Sequence, residues 1–198
     1  MIKQSVITKI ICQNDQHASL FIQQKLKLGT SAQKHQIVDA IVCQSHPLMV
    51  NRFGNFLVQR CFEYGTKDQI DGVIKAILGN VVTLSKDMFG CHVIQKAFDC
   101  VDEEIKVAMV EELIVRIPET ISHRFACHVW QKILEIRWRG CAPVIMKYVN
   151  DALRGLWTEI ALGETGSLVV QNVFENCLDE DKVPFWSCVD KFIVAALY

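Results

Sequence analysis

The side chains with most chemistry to offer come as two pairs, Cys91-His92 followed by Gln95 and Cys127-His128 followed by Gln131. A thiol beside an imidazole suggests a metal ligand set or a nucleophile. Adjacent helical residues point to different faces, however, and one Cys with one His falls short of a four-ligand site. No third group recurs to orient the imidazole, so a nucleophile has no activating relay. A carboxylate pair that recurs beside these residues for general acid–base work, a Gly-rich phosphate loop and CxxC spacing are all missing from the sequence. The expectation is a protein that is not an enzyme, with no metal and no cofactor. What does recur is hydrogen-bonding capacity, in FGCHVIQK at 89–96 and FACHVWQK at 125–132.

Aligned on that glutamine, five segments share one frame, with Gln23, Gln59, Gln95, Gln131 and Gln171 separated by 36, 36, 36 and 40 residues. Four residues before each glutamine stands a small polar or thiol side chain: Ser19, Asn55, Cys91, Cys127 and Ser167. Residues i and i+4 are neighbours on one helix face. Between them, directly after the first, stand Leu20, Phe56, His92, His128 and Leu168, mostly flat or bulky groups. A solvated surface would scatter its polar residues, and a core would reject glutamine. A row of two hydrogen-bonding residues flanking a planar one suits stacked bases: the pair meets a base edge and the third lies against the ring. The glutamine amide carries donors and an acceptor and so can meet uracil or adenine. The readers are expected to face away from the core, so that substituting them leaves the fold intact. Arg60, Lys96 and Lys132 follow three of the glutamines and are candidates for phosphate contacts; pairing with acidic residues of a neighbouring unit is the open alternative. Trp130, in line with Val58 and Ile94, reads as core.

These rows require helices to hold them. Val93, Ile94, Ala97 and Phe98 fall on one apolar face, and second helices carry stripes such as Ile70, Val73, Ile74, Ile77 and Val107, Val110, Ile114. Thr66 is a candidate N-cap, and Asp102, Glu103 and Glu104 place negative charge at a helix start. Pro118 follows one helix, and Pro184 suits the first turn of another. Glu103, Glu104, Glu111 and Glu112 read as a solvated outer face. Each unit is thus two main helices with a short turn, too small to bury its face alone, and stacking makes an all-α solenoid. The small residue opening each segment (Ala18, Gly54, Gly90, Ala126, Gly166) is expected to let neighbouring copies of the helix lie close. With 198 residues, 51% hydrophobic and 22% charged, the chain has the material for a large core. A net charge of −1 provides no global field for an anion. Nine scattered cysteines favour reduced thiols and an intracellular, cytoplasmic setting. The first residues, with a lysine inside the apolar run, do not read as a secretory signal, and no apolar run reaches the roughly 18 residues of a membrane span.

The 36-residue period and the helix pattern of FGNFLVQR and FGCHVIQK resemble the Pumilio (PUF) family of RNA-binding repeat proteins over essentially the whole chain. The resemblance implies a right-handed solenoid forming a curved crescent, with single-stranded RNA running antiparallel to the chain along the concave face. It implies a single domain over 1–198, with repeats at about 1–29, 30–65, 66–101, 102–139 and 140–178 and a partial sixth unit at 179–198. By that resemblance Asn55 with Gln59 faces uracil, the Ser- and Cys-containing pairs face adenine, and the readout is 5′-AAAUA-3′ with AAU as core. No fifth-position Glu is present to read guanine. The implied role is post-transcriptional regulation at A/U-rich elements of mRNA 3′-UTRs, with protein effectors of decay or translation as further partners. Departures from the family pattern are the five units in place of eight, as of a fragment or a short member, the leucines at 20 and 168, and four extra residues before the fifth unit. A peptide-binding α-solenoid scaffold is the competing reading; its groove would favour apolar anchors over repeated edge readers.

Overall fold

The computed structural model describes residues 4–140, 144–180 and 182–183; Pro184, Cys141, Cys188 and the closing KFIVAALY lie outside them. Fourteen helices and no strand are found among the described residues. They run α1 (Gln4–Gln13), α2 (Gln16–Leu28), α3 (Ser31–Val42), α4 (Ser45–Met49), α5 (Gly54–Tyr64), α6 (Lys67–Ile77) and α7 (Val81–Lys86). Then follow α8 (Gly90–Cys100), α9 (Glu103–Ile114), α10 (Ile117–Thr120), α11 (Ala126–Glu135), α12 (Ile145–Ala152), α13 (Trp157–Leu162) and α14 (Gly166–Asn176). The predicted short turn is itself a helix, so a full unit has three: a long outer helix, a short one, and the helix carrying the glutamine. Residues 1–101 and 102–198 form two compact units.

Local chemistry sets the helix starts. Thr30 and Thr66 each close a capping box, with Gln33 and Gln69 reaching back to the cap backbone. Glu103 and Glu104 occupy the first turn of α9. Pro118 sits in the first turn of α10, where its missing N–H costs nothing. In the first unit α5 packs against α2, α3, α4 and α8; in the second, α11 packs against α14 and α14 against α13. Leu57, Val58, Val93, Ile94 and Ala97 are fully buried in one unit, and Val129, Trp130 and Val169 in the other. Each of the Leu, Val and Ile side chains contributes about 1.5–3 kcal/mol, and the Ala97 methyl about 0.8 kcal/mol. The stripe of α9 is displaced from the expected one: Met109, Val110 and Leu113 are buried, while Val107 and Ile114 are half-exposed.

The glycines opening α5, α8 and α14 serve a different approach from the one expected. A Cβ on Gly54 would stand 2.7 Å from Leu48 Cδ2, and one on Gly90 2.7 Å from the Leu84 carbonyl oxygen. On Gly166 it would collide with the Ile160 carbonyl oxygen. The tight contact is with the short helix of the same repeat, which folds back at the turn, rather than with a neighbouring copy.

The extra residues before the fifth unit lie in the link that precedes its outer helix. Outer helices α3, α6 and α9 each begin eight residues after the preceding glutamine, but α12 begins fourteen after Gln131. α12 in turn starts two residues closer to its short helix than the others do. Six residues gained in the link and two lost from the outer helix leave the net four. Part of the link is held by Glu103, whose carboxylate accepts from the backbone N–H groups of Arg139 and Gly140. Glu103 is therefore a clamp and not only solvated surface.

Candidate nucleic-acid interface

Three positions of each glutamine-bearing helix face three environments. The second position is exposed in all five: Leu20, Phe56, His92, His128 and Leu168. The glutamines Gln23, Gln59, Gln95 and Gln131 are half-buried, and Gln171 is exposed. The first position departs from expectation. Ser19, Asn55, Cys91 and Cys127 are buried, and only Ser167 is half-exposed. They do not face away from the core.

Hydrogen bonding explains the burial. The helical turn begins before the helix proper, and the first-position side chain bonds back into it. Asn55 Nδ2 donates to the carbonyls of Asn51 and Arg52 at 2.9 and 3.0 Å. Cys91 Sγ donates to the Met88 carbonyl (3.7 Å), Cys127 Sγ to that of Arg124 (3.6 Å) and Ser167 Oγ to that of Glu164 (2.9 Å). Ser19 Oγ instead donates to the Phe53 carbonyl of the next repeat at 2.8 Å. The first-position residue is thus a helix-start tether, a task that suits small donors. Burial pushes the Cys127 thiol up from its ordinary value, against smaller lowering from backbone hydrogen bonds at Cys127 and His128, so it stays a neutral donor. Cys61 is pushed up to about 12 by burial, a structural thiol in α5.

The glutamines are aimed by their neighbours. Gln59 Nε2 donates to Asn55 Oδ1 at 3.0 Å, and Gln23 Nε2 to Ser19 Oγ at 3.1 Å. Gln95 Nε2 donates to the Cys91 carbonyl at 3.2 Å. Gln131 Oε1 lies 2.9 Å from His128 Nδ1, and Gln171 Nε2 donates forward to Glu175 at 3.0 Å. With one N–H engaged, Gln59 keeps its carbonyl oxygen and a second N–H, enough for the N3–H and O4 of uracil or the N6–H and N1 of adenine. Asn55 has both amide hydrogens on backbone carbonyls. What it has left to offer is bulk and an oxygen lone pair.

The caps of these helices escaped the sequence reading. Asp15 Oδ1 accepts from Ala18 N (3.0 Å), Asn51 Oδ1 from Phe53 N and Gly54 N (2.9 and 2.8 Å), and Asp87 Oδ1 from Phe89 N and Gly90 N (2.8 and 2.7 Å). His123 Nδ1 accepts from Phe125 N at 3.3 Å. All four stand eight residues before their glutamine, so the same alignment carried the signal. The fifth repeat has Gly163 there.

Two of the three basic candidates, Arg60 and Lys96, share one carboxylate, and Lys132 is half-buried. Arg60 lies 2.6 Å from Glu63 and Lys96 lies 3.1 Å from the same carboxylate, which joins α5 to α8. Of the two alternatives left open for Lys96, pairing across repeats is the one observed. In the second unit Asn172 Nδ2 bridges to Glu135 at 3.4 Å from the matching position. Trp130 is fully buried as expected and donates to Thr120 Oγ1 at 3.0 Å. Among the described residues no group of three or more Cys, His, Asp or Glu could hold a metal, and no helix is long and apolar enough to cross a membrane.

Three-helix units with a recurring row of polar residues define a helical-repeat protein of the α-solenoid class. The Pumilio-family RNA binding repeat matches residues 14–42, 46–78, 80–114, 116–136 and 157–185, and the chain belongs to that family. It is 55% identical over 188 residues to Meiotic coiled-coil protein 2 of Schizosaccharomyces pombe, covering 95% of this chain and 26% of that protein. Meiotic PUF family protein 1 of the same yeast is 40% identical over 189 residues, covering 96% of this chain and 32% of that protein. The chain therefore spans about a quarter to a third of these relatives. The Puf3 RNA binding domain bound to a Cox17 RNA 3′ UTR recognition sequence superimposes with a TM-score of 0.82 at 29% identity, over 93% of this chain and 51% of that one. PUF-8 in complex with PBE-RNA does so with a TM-score of 0.83 at 26% identity, over 97% and 55%.

Proposed function

We propose that this chain binds single-stranded RNA with base selectivity through one array of five repeats, reading 5′-AAAUA-3′ with AAU as the core. The observation that carries the reading is the repeated geometry of the reader face. In each repeat an exposed stacking residue stands between a tethered small polar side chain and a glutamine amide with hydrogen-bonding capacity to spare. Solved relatives with RNA in their complexes, named above, support the class of ligand. The stacking roles of Phe56, His92 and His128, the edge-reading roles of the five pairs and the A/U assignment belong to this proposal. So does a cytoplasmic role in post-transcriptional control of mRNA through 3′-UTR elements, with protein effectors of decay or translation recruited to the complex. Because stacking contributes about 1–3 kcal/mol per base, the aromatic and histidine repeats dominate affinity over those with Leu20 and Leu168. Fluorescence anisotropy with labelled AAAUA RNA and poly-C of equal length tests the reading. Tighter binding of AAAUA is expected; equal binding removes the base assignment, and binding of neither moves the peptide scaffold to first place.

A further inference from the structure

The residue three before each reader defines another row on the same helix starts: Gln16, Arg52, Met88, Arg124 and Glu164. In repeats two to five its carbonyl is the one the reader tethers. The Asn55 N–H bonds to the Asn51 carbonyl (3.1 Å) and the Cys127 N–H to that of His123 (2.9 Å), so the backbone here is already helical. Arg52 and Arg124 consequently stand one turn before Phe56 and His128, on the side those stacking residues present. Both arginines are exposed. Each guanidinium lies over the ring of the next residue, 5.4 Å from the Phe53 centroid and 4.7 Å from that of Phe125, which restricts it without neutralising it. Arg60 and Lys96, by contrast, share the Glu63 carboxylate.

Resting on the RNA-binding reading, we propose that Arg52 and Arg124 supply the backbone-phosphate contacts of this interface, in place of Arg60 and Lys96. A planar, permanently charged fork held on an aromatic face suits a phosphate oxygen pair beside a base stacked on Phe56 or His128, one turn further on. Repeat three offers only Met88 at this position and repeat five offers Glu164, which repels a phosphate.

The test is a salt series of RNA affinity for the 198-residue chain, with labelled AAAUA RNA and poly-C. Each phosphate contact on a single strand contributes about 0.7 to the slope of log affinity against log salt, worth about fourfold at 0.15 M. Arg52→Gln and Arg124→Gln should each lower the slope by about that amount and weaken both RNAs alike, leaving the preference for AAAUA unchanged. Met88→Arg should add one such contact, raising slope and affinity; as a gain it cannot be produced by misfolding. Parent-like slopes in both glutamine variants, or a loss confined to AAAUA, would overturn the assignment while leaving RNA binding in place. Failure of the parent to bind either RNA would overturn the RNA reading itself, and this inference with it.

Discussion

The helix of the third repeat, α8, and that of the fifth, α14, are the same sequence idea built to different tolerances. α8 has Asp87 across its first N–H groups, a buried Cys91, a glutamine bonded to its own helix backbone, and an exposed imidazole at the second position. α14 has Gly163 in place of the cap, a half-exposed Ser167, a glutamine drawn forward to Glu175, and an exposed leucine at the second position. Thr165 Oγ1 donates to the Ser122 carbonyl, a substitute anchor from the loop. A repeat can thus keep its register and its apolar stripe while losing the polar bonds that hold its first-position residue and its glutamine still. Preorganisation is set by these small tethers, since an interface that must order its side chains on binding loses affinity.

The fourth repeat shows the opposite adjustment. Where repeat three has Leu84, Gly90 and Ile94, repeat four has Thr120, Ala126 and Trp130, and the indole N–H finds the threonine hydroxyl. Replacing Trp130 by Ala should cost about 3–5 kcal/mol in urea denaturation, the largest effect expected here. A cost below about 1 kcal/mol would mean that the second unit does not depend on this plug.

Next in size is the Asn55 pair. Asn55→Cys should move the preference at the fourth nucleotide from U to A, by about 1–3 kcal/mol in a competition series with all four bases. Asn55→Ser with Gln59→Glu should favour G, because a carboxylate only accepts. Because Asn55 is buried and donates to two carbonyls, either variant should also lose about 1 kcal/mol of stability, where an outward-facing residue would lose none. An unchanged preference for U in both would show that this pair does not read the base.

Caps sharpen the contrast between α8 and α14 directly. Asp87→Ala should destabilise by about 0.5–2 kcal/mol. Gly163→Asp should act in the other direction, by about 0.5–1 kcal/mol, since φ there is −75° and a Cβ meets nothing closer than 3.4 Å. If thermal denaturation shows both changes destabilising, the missing cap is not what separates the two repeats.

The smallest effect concerns Glu63. Partial desolvation pushes its carboxyl up, but hydrogen bonds and charge from Arg60 and Lys96 outweigh this and hold it below its ordinary value of 4.5. A depressed carboxyl contributes stability that is present above 4.5 and is lost as pH falls through its lowered value. For this part-exposed pair the contribution is below about 1 kcal/mol. Acid titration of Glu63→Gln against the parent should show the two stabilities converging at low pH; parallel curves would dismiss the bridge.

Much of this protein was legible in one dimension. The 36-residue period, the Gln rows, the exposed second position, the Thr66 cap and the Trp130 core all follow from residue type and helical spacing, because a repeat must reproduce its buried face each time it stacks. The apolar stripe of α9 was legible only approximately, since Val107, Met109, Val110 and Ile114 are too alike for pattern to choose the buried face. What the tertiary structure decided are directions and partners. Whether Asn55 points to solvent or back to the Arg52 carbonyl, and whether Lys96 is free or held by Glu63 of the preceding repeat, depends on atoms brought together from other turns and other helices. Spacing along a chain says which residues share a face. Only the folded backbone says which of them already have a hydrogen-bond or charge partner, and so which remain to meet a ligand.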